Sequence, residues 1–258
     1  NRNIQFVMEI FCESVLPPAI GNQTGVVLGL QIFKREWKPM PSQQVVNRYD
    51  SVTDVKANGS TYTPPELADF VAQTLVAQVE LQSTGAPLVV LDPAVGEGEL
   101  LASLLHYLPH TREIEVHGYD QDERALRVAR TRLASIHPHV TLRLEKRDFL
   151  PYALEFAHSQ EPSLFAKAIE RPFDLIIANP PYVRTQILGA DIAQKLASQF
   201  GLTGRVDLYH AFILGISSIL RPNGAAGVIV SNRFMTTKAG SGVRRIARER
   251  LDLQHVWD

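Results

Sequence analysis

Short apolar runs alternate with segments of helical periodicity over most of the chain from residue 63 onward. Strands are predicted where apolar residues run together, and helices where they recur three or four positions apart. The predicted strands are 88–91, 114–119, 140–144, 173–178, 226–230 and 253–256, and the predicted helices among them are 97–108, 122–136, 207–220 and 241–250. Strands that alternate with helices are typical of an α/β domain whose parallel sheet is covered on both faces.

The N-terminal part of the chain has weaker periodicity. Residues 4–16 are apolar with mixed spacing and predict a short helix, whereas the following segment is punctuated by Pro, Gly and Asn. Order is expected to resume at Thr63, a candidate N-cap, with Pro64 at the first helical position and Glu66 completing a capping box. We therefore predict an N-terminal extension over residues 1–58 and one larger domain over residues 59–258.

Composition narrows the classes of protein and of site. A hydrophobic fraction of 45% and a charged fraction of 21% are typical of a globular protein, and the net charge of −1 gives no global signature of nucleic-acid binding. Cys12 is the only cysteine, which excludes an intrachain disulfide and favours a reducing, cytoplasmic setting. No apolar run approaches the roughly 18 residues that span a bilayer, so we expect no membrane partner. The eight histidines lack ligand spacing, and no metal site is expected.

The most specific chemical signal follows the predicted strand 173–178, where the chain reads Asn179, Pro180, Pro181 and Tyr182. Each proline disfavours a helical conformation in the residue before it, so the tetrapeptide predicts a rigid turn. The Asn179 amide oxygen and the Pro180 carbonyl are candidate acceptors for a substrate amino group, and Tyr182 could stack on a planar ring. An amino group on an aromatic base is a weak nucleophile, and two acceptors on its hydrogens would turn its lone pair toward an electrophile.

Polar residues also mark the ends of the three preceding strands. The segment Asp92–Gly98 joins the first of them to its helix, and its glycines allow a ligand to approach the backbone near a helix N-terminus. Asp120 ends the next strand, where an acidic group can bind ribose hydroxyls, and Asp122 is predicted to cap the following helix. Asp148 follows the third strand and could accept from the amine of an adenine, with Phe149 alongside. Ligands bind at the carboxyl ends of such strands, so these residues predict one site.

These motifs resemble those of S-adenosylmethionine-dependent adenine-N6 DNA methyltransferases, the restriction–modification enzymes in the TaqI-like arrangement. Four features match in order: Thr-Tyr-Thr-Pro-Pro at 61–65, the Asp92–Gly98 loop, the acidic pair Asp120 and Asp148, and the tetrapeptide 179–182. The Thr-Pro-Pro segment ahead of the glycine loop gives the family's gamma order. The resemblance covers roughly residues 59–257 and implies a Rossmann-like class I fold with a mostly parallel, doubly wound sheet. It also implies S-adenosylmethionine as cofactor and double-stranded DNA with a flipped adenine as substrate.

The resemblance implies a role for each matched residue. The tetrapeptide would be catalytic, with Asn179 and Pro180 holding the target amine, Pro181 in the same turn, and Tyr182 stacked on the flipped base. The residues implied for cofactor binding are Tyr62, Thr63, Asp92, Pro93 and Gly96 at the methionine portion, Asp120 at the ribose, Asp148 and Phe149 at the adenine, and Asn179.

Two features depart from the family pattern. Glu97 stands where the family often has Thr or Ser, and a carboxylate beside the cofactor could change its affinity. Family members also continue beyond the point where this sequence stops, into a target-recognition domain. The resemblance therefore implies a catalytic domain truncated at its C-terminus, with a restriction or specificity subunit or domain as partner.

Three other functions remain open from the sequence. A glutamine-N5 protein methyltransferase shares the tetrapeptide because a carboxamide nitrogen is equally unreactive, although the upstream Thr-Pro-Pro segment favours the DNA enzymes. An adenine-N6 RNA methyltransferase is poorly separated by these motifs. A non-catalytic cofactor-binding module of a larger complex is the alternative of another class, against which the intact Asp92, Asp120 and Asn179 argue.

Overall fold

A computed structural model of the protein describes residues 5–11, 63–79, 85–159, 172–181, 190–199, 207–231 and 240–257. Its strands are β1 (Gln5–Phe11), β2 (Leu88–Asp92), β3 (Ile114–Asp120), β4 (Thr141–Lys146), β5 (Phe173–Ala178), β6 (Leu220–Ser231) and β7 (Asp252–Trp257). Its helices are α1 (Pro65–Ala77), α2 (Glu99–Tyr107), α3 (Glu123–Ile136), α4 (Phe149–Ser159), α5 (Ala190–Gln199), α6 (Leu208–Ile219) and α7 (Ser241–Arg250). The strands and helices predicted after residue 63 are confirmed, with ends shifted by at most two residues except in β6, which begins six residues before the predicted strand 226–230.

The described strands form one sheet in the order β4-β3-β2-β5-β6-β1-β7, and each described pairing is parallel. From β2 the chain proceeds outward through β3 to β4, whereas β5 leads to β6 on the other side. The direction of winding therefore reverses between β2 and β5. A crevice opens at such a switch point, outside the carboxyl ends of the two strands. The predicted doubly wound, Rossmann-like sheet is confirmed.

Helices cover both faces of this sheet and bury two apolar clusters. One cluster joins α1, α2 and α3 to the sheet, through residues that include Leu75, Leu101, Leu133, Val90 and Val116. The other joins α4, α6 and α7 to the opposite face, through residues that include Phe149, Phe212, Ile246 and Ile176. Burial of a large apolar side chain contributes about 1.5–3 kcal/mol. The two clusters therefore fix the strands, and with them the positions of the strand ends.

The pairing of β5 with β6 is interrupted by a bulge near the start of β6. Four residues of β6, 221–224, lie opposite the single residue Asp174 of β5, since Phe173 pairs with Leu220 and Leu175 with Ala225. The Asp174 carboxylate accepts hydrogen bonds from the Arg221 guanidinium and from the Val89 backbone N–H, both at 2.8 Å. This side chain therefore links β2, β5 and β6 where the backbone pairing is interrupted.

Two expectations for the N-terminal half are wrong. Within residues 4–16 the structure has strand β1 rather than a helix, between β6 and β7. A short apolar run does not distinguish a strand from a helix, because apolar and polar residues need not alternate in a strand that is buried inside a parallel sheet. The residue before α1 is Pro64 rather than Thr63, and no side-chain bond caps that helix. The proposed boundary at residue 58 stays a prediction.

Helices α4 and α5 were absent from the sequence prediction. Pro151 lies in the first turn of α4, where a missing N–H is tolerated because that N–H has no partner inside the helix. The Asp148 carboxylate accepts from the Leu150 N–H at 3.1 Å in that turn. An Asp directly before an apolar segment is a typical helix-start signal, and it could have identified α4.

Candidate functional site

The ends of β2 and β5 bring together the polar residues of the candidate site. Asp92 is the last residue of β2, and Asn179 directly follows β5, its neighbour in the sheet. Both side chains are buried, as are Pro93 and Pro180. Polar side chains are rarely buried without partners, so their position at the switch point marks a place where a ligand is expected.

Asn179 makes one long-range contact that orients its amide. Its side chain is 9% exposed, and its Nδ2 donates a hydrogen bond of 3.0 Å to the Oγ1 of Thr63, which is 7% exposed. The amide oxygen, Oδ1, is buried and has no hydrogen-bond partner within the described part of the chain. The amide therefore keeps a buried acceptor that a substrate donor could use.

Asp92 carries the most perturbed carboxyl group of the site. One oxygen accepts from the Ala94 backbone N–H at 3.0 Å, while the other is buried without a partner among the described residues. Burial raises the pKa of Asp92 to about 8, because a charge is poorly solvated there, and the nearby charge of Asp120 adds to the effect. A cationic ligand would favour the ionised form and relieve this cost.

The loop after β2 has the backbone conformations that glycine permits. Gly96 and Gly98 have φ angles of 50° and 83°, in the left-handed region. A side-chain carbon at Gly98 would lie 3.2 Å from the Cβ of Ala129 on α3, whereas nothing lies within 4 Å of the same position at Gly96. Gly98 therefore allows α2 to start against α3, and Gly96 borders open space. The predicted close approach of a ligand to the loop is compatible with this geometry.

Asp120 ties the glycine loop to the end of β3. Its Oδ2 accepts from the Gly96 N–H at 2.9 Å, and its Oδ1 accepts from the Asp122 N–H at 2.8 Å. Each carboxylate oxygen can accept a second hydrogen bond, so ribose binding stays a prediction. The predicted capping role of Asp122 is confirmed, because its side chain accepts from the Arg124 N–H at 2.8 Å.

Asp148 and Phe149 have different surroundings. Asp148 is exposed at the start of α4. The Phe149 ring is 1% exposed, and its centre lies 5.0 Å from that of Phe212 in the core. Phe149 therefore has a packing role in this structure, and the predicted contact of both residues with an adenine ring stays a prediction.

Beside Asp148, an arginine lies over two tyrosine rings, an arrangement that the sequence analysis does not predict. The Arg147 guanidinium lies over the rings of Tyr119 and Tyr152, at 5.2 and 5.1 Å from their centres. The backbone N–H of Arg147 donates to the Asp120 carbonyl at 3.1 Å. Burial raises the pKa of Tyr152 to about 12, so its hydroxyl stays protonated. No sequence signal pairs these three residues, because they meet only when β3, β4 and α4 are assembled.

The remaining expectations concern the rest of the tetrapeptide and Tyr62, a metal site and a membrane span. Tyr62 and Tyr182 lie outside the described residues, and Pro181 is half-buried at the end of a described segment. Within the described ranges, no group of three or more His, Cys, Asp or Glu side chains is arranged to hold a metal ion. In the same ranges, no helix is both long enough and apolar enough to cross a bilayer.

Comparison with known proteins gives a family match over more than half of the chain. The model of the family described as Eco57I restriction-modification methylase matches residues 115–258. The chain is 40% identical over 210 residues to the type II methyltransferase M.BanIII of Aneurinibacillus aneurinilyticus, an alignment that covers 79% of this chain and 35% of that protein. This chain thus spans about a third of the length of M.BanIII.

Two further matches are more distant. Identity to the release factor glutamine methyltransferase of Moorella thermoacetica is 25% over 224 residues, or 84% of this chain and 70% of that protein. The fold resembles the solved structure of a protein from Listeria monocytogenes described as a class I S-adenosylmethionine-dependent methyltransferase. That match has a TM-score of 0.52 at 18% identity and covers 74% of this chain and 53% of the other.

Proposed function

Because the chain belongs to the Eco57I restriction-modification methylase family, we propose that it transfers a methyl group from S-adenosylmethionine to the N6 amino group of adenine in DNA. The family and M.BanIII support DNA as the substrate, since both descriptions name restriction–modification or type II methyltransferases. The choice of adenine N6 rests on the tetrapeptide Asn179–Tyr182, whose chemistry suits an amine of low nucleophilicity.

The observation that carries this proposal is the buried amide of Asn179. Its Oδ1 lies at the switch point with no partner among the described residues, while its Nδ2 is held by Thr63. A buried acceptor of this kind can accept a hydrogen from the target amine without reorganising, which is how preorganised groups lower a barrier. We propose the Pro180 carbonyl as the second acceptor and Tyr182 as the residue that stacks on the base.

The residues around the glycine loop fit S-adenosylmethionine. The cofactor carries a sulfonium and an ammonium group, and the unpartnered Oδ2 of buried Asp92 would find a cationic partner there. Open space beside Gly96 would admit the cofactor, and Asp120 retains acceptor capacity for ribose hydroxyls. Bound there, the cofactor supplies the electrophilic methyl group. Tyr62, Thr63, Pro93, Asp148, Phe149 and Asn179 complete the proposed cofactor contacts.

The roles proposed for this chain need no metal and no covalent enzyme intermediate. Asn179 and Pro180 would hold the amine, and the buried walls of the crevice would exclude water. Methyl transfer would then depend on positioning of the two reactants. Since N6 of adenine lies inside a duplex, the base would have to be flipped into the crevice.

A second function is favoured by one specific observation. This chain aligns with 70% of the length of the release factor glutamine methyltransferase and with 35% of the length of M.BanIII. The sequence identity to the release factor enzyme is lower, 25% against 40%. A glutamine carboxamide would meet the same buried acceptor of Asn179. Protein methylation is therefore the second candidate, and the higher identity to M.BanIII places DNA first. RNA methylation differs from the leading proposal only in the polymer that presents the adenine.

Several broader proposals accompany this function. We propose a cytoplasmic location, a restriction or specificity subunit or domain as partner, and a catalytic domain over residues 59–258. We also propose that residues 1–58 are an N-terminal extension, from which β1 joins the sheet.

The test offers unmethylated duplex DNA, RNA and a protein extract in parallel to the full-length protein that carries this chain, with S-adenosylmethionine labelled on the methyl group. Label recovered as N6-methyladenine of DNA, and lost in Asn179→Ala, is the expected result. Asn179→Ala should lose no more than about tenfold in cofactor affinity, the size of one hydrogen bond, and its melting midpoint should stay within a few degrees of the wild type. Label in glutamine or in RNA would replace the leading proposal, and no label with intact cofactor binding would favour the non-catalytic module.

A further inference from the structure

The contact between Thr63 and Asn179 joins two segments that are 116 residues apart in the chain. Thr63 lies just before α1, and Asn179 follows β5. The two residues therefore come into contact only through the tertiary fold. Both side chains are nearly excluded from solvent. The distance of 3.0 Å between Nδ2 and Oγ1 is that of a well-formed hydrogen bond. A buried bond of this kind restricts the rotation of the Asn179 amide.

The orientation of an amide decides which of its atoms a substrate meets. Nδ2 is a donor and Oδ1 an acceptor, so a half-turn of the Asn179 amide would present two N–H groups to a target amine. Those groups would repel the amine hydrogens instead of accepting them. In the structure Nδ2 faces Thr63, and Oδ1 is the atom left without a partner among the described residues.

From this geometry we propose that Thr63 is a positioning residue, whose hydroxyl holds the Asn179 amide with Oδ1 directed toward the target amino group. The inference rests on the proposed function and deepens it. A hydroxyl has one hydrogen to donate, and Oγ1 already accepts from Asn179. The Thr63 hydrogen is therefore available to an acceptor such as the cofactor carboxylate. If that hydrogen is donated there, Oγ1 can only accept, and the observed orientation of the amide is enforced when cofactor binds.

Three variants separate the hydroxyl from the shape of the side chain. Thr63→Val keeps the shape and removes the hydroxyl, and Thr63→Ser keeps the hydroxyl and removes the methyl group. Thr131→Val is the matched control, since Thr131 is an exposed residue of α3 whose hydroxyl donates to the Arg127 carbonyl of its own helix, at 3.1 Å. All three are made in the full-length protein.

The measurements are the single-turnover rate of methyl transfer to unmethylated duplex DNA at saturating cofactor, the cofactor dissociation constant by calorimetry, and the melting midpoint. Thr63→Val should lower the rate about 100-fold, the size expected for a misplaced reactive group. Its cofactor dissociation constant should rise no more than about tenfold, the size of one lost hydrogen bond. Thr63→Ser should recover most of the rate, and Thr131→Val should match the wild type.

The outcomes distinguish this inference from the proposed function. A wild-type protein that does not label DNA would overturn both. Labelling by the wild type with an equal rate in Thr63→Val would overturn the positioning role alone. Equal defects in Thr63→Val and Thr63→Ser would also overturn it, because the methyl group rather than the hydroxyl would matter. So would a Thr63→Val variant whose only defect is weaker cofactor binding.

A readout that needs no activity checks the bond itself. Thr63→Val and Asn179→Ala remove the two partners, so their effects on the melting midpoint should not add in the double variant, as for residues in direct contact. Additive shifts would show that the two side chains do not interact in solution and would overturn the inference.

Discussion

Replacement of Asp92 by Asn should stabilise the protein in the absence of ligand, although Asp92 is proposed to bind the cofactor. The carboxyl is 1% exposed, and burial raises its pKa from 3.8 to about 8. In the unfolded chain the same group is ionised at neutral pH. Folding at pH 7 therefore requires Asp92 to take up a proton or to bury a charge, and Asn avoids both.

The sign and the ceiling of the effect follow from linkage. Between pH 3.8 and 8 the folded state binds more protons at Asp92 than the unfolded state does, so stability falls as pH rises through that window. Each pH unit above 3.8 costs the fold about 1.4 kcal/mol. The ceiling at pH 7 is about 4 kcal/mol, and structural relaxation should reduce the gain of Asp92→Asn to about 2 kcal/mol.

Urea unfolding followed by circular dichroism at pH 5, 6, 7 and 8 measures the effect without cofactor. The difference in unfolding free energy between Asp92→Asn and the wild type should grow from pH 5 to pH 8. Asp69→Asn, a change at an exposed position of α1, controls for the loss of one surface carboxylate. A difference that stays constant with pH, or a wild type more stable than Asp92→Asn at pH 8, would refute the reasoning.

Three further predictions concern the fold around the site. Gly98→Ala should destabilise the protein by about 2 kcal/mol in urea unfolding, since φ is 83° and the new Cβ would lie 3.2 Å from that of Ala129; an unchanged midpoint would contradict this. Asp174→Ala should cost about 1–3 kcal/mol because the Val89 N–H loses its acceptor and the Arg221 guanidinium loses its bond to this carboxylate, and a loss below 0.5 kcal/mol would contradict this. Burial lowers the pKa of His210 from 6.5 to about 4, so the neutral ring is favoured in the fold and stability should fall as pH drops from 6.5 to 4. Acid titration of His210→Gln should lack that part of the loss.

The centre of the sheet could be predicted because β2 and β5 are short and mostly apolar. The apolar run 175–178 in β5 is identified as a strand by its short length and by the prolines that flank it, Pro172 and Pro180. Strand β1 could not be assigned in the same way, since its segment reads equally well as a helix and its partners β6 and β7 lie more than 200 residues away. Long-range pairing decides such cases, and periodicity does not contain it.

The site could be predicted as a set of strand ends but not as a set of contacts. Asp92, Asp120 and Asn179 were found because polar residues directly after apolar strands share one edge of a parallel sheet. The bond from Gly96 to Asp120 and the position of the Arg147 guanidinium over the rings of Tyr119 and Tyr152 depend on how loops and helices pack, which no spacing in the chain reports.

Thr63 does not cap α1 as its sequence context predicts, and its hydroxyl has a different contact. Its sequence context favours an N-cap, and a capping bond would stabilise α1 by about 1 kcal/mol. In the structure no side chain caps α1, and the Thr63 hydroxyl instead meets Asn179 beside the unpartnered Oδ1. At functional sites, a side chain often makes a buried contact with a residue distant in the chain instead of the local bond that its sequence context favours. The missing cap is therefore compatible with the proposed positioning role of Thr63, whose hydroxyl is bonded to Asn179 instead.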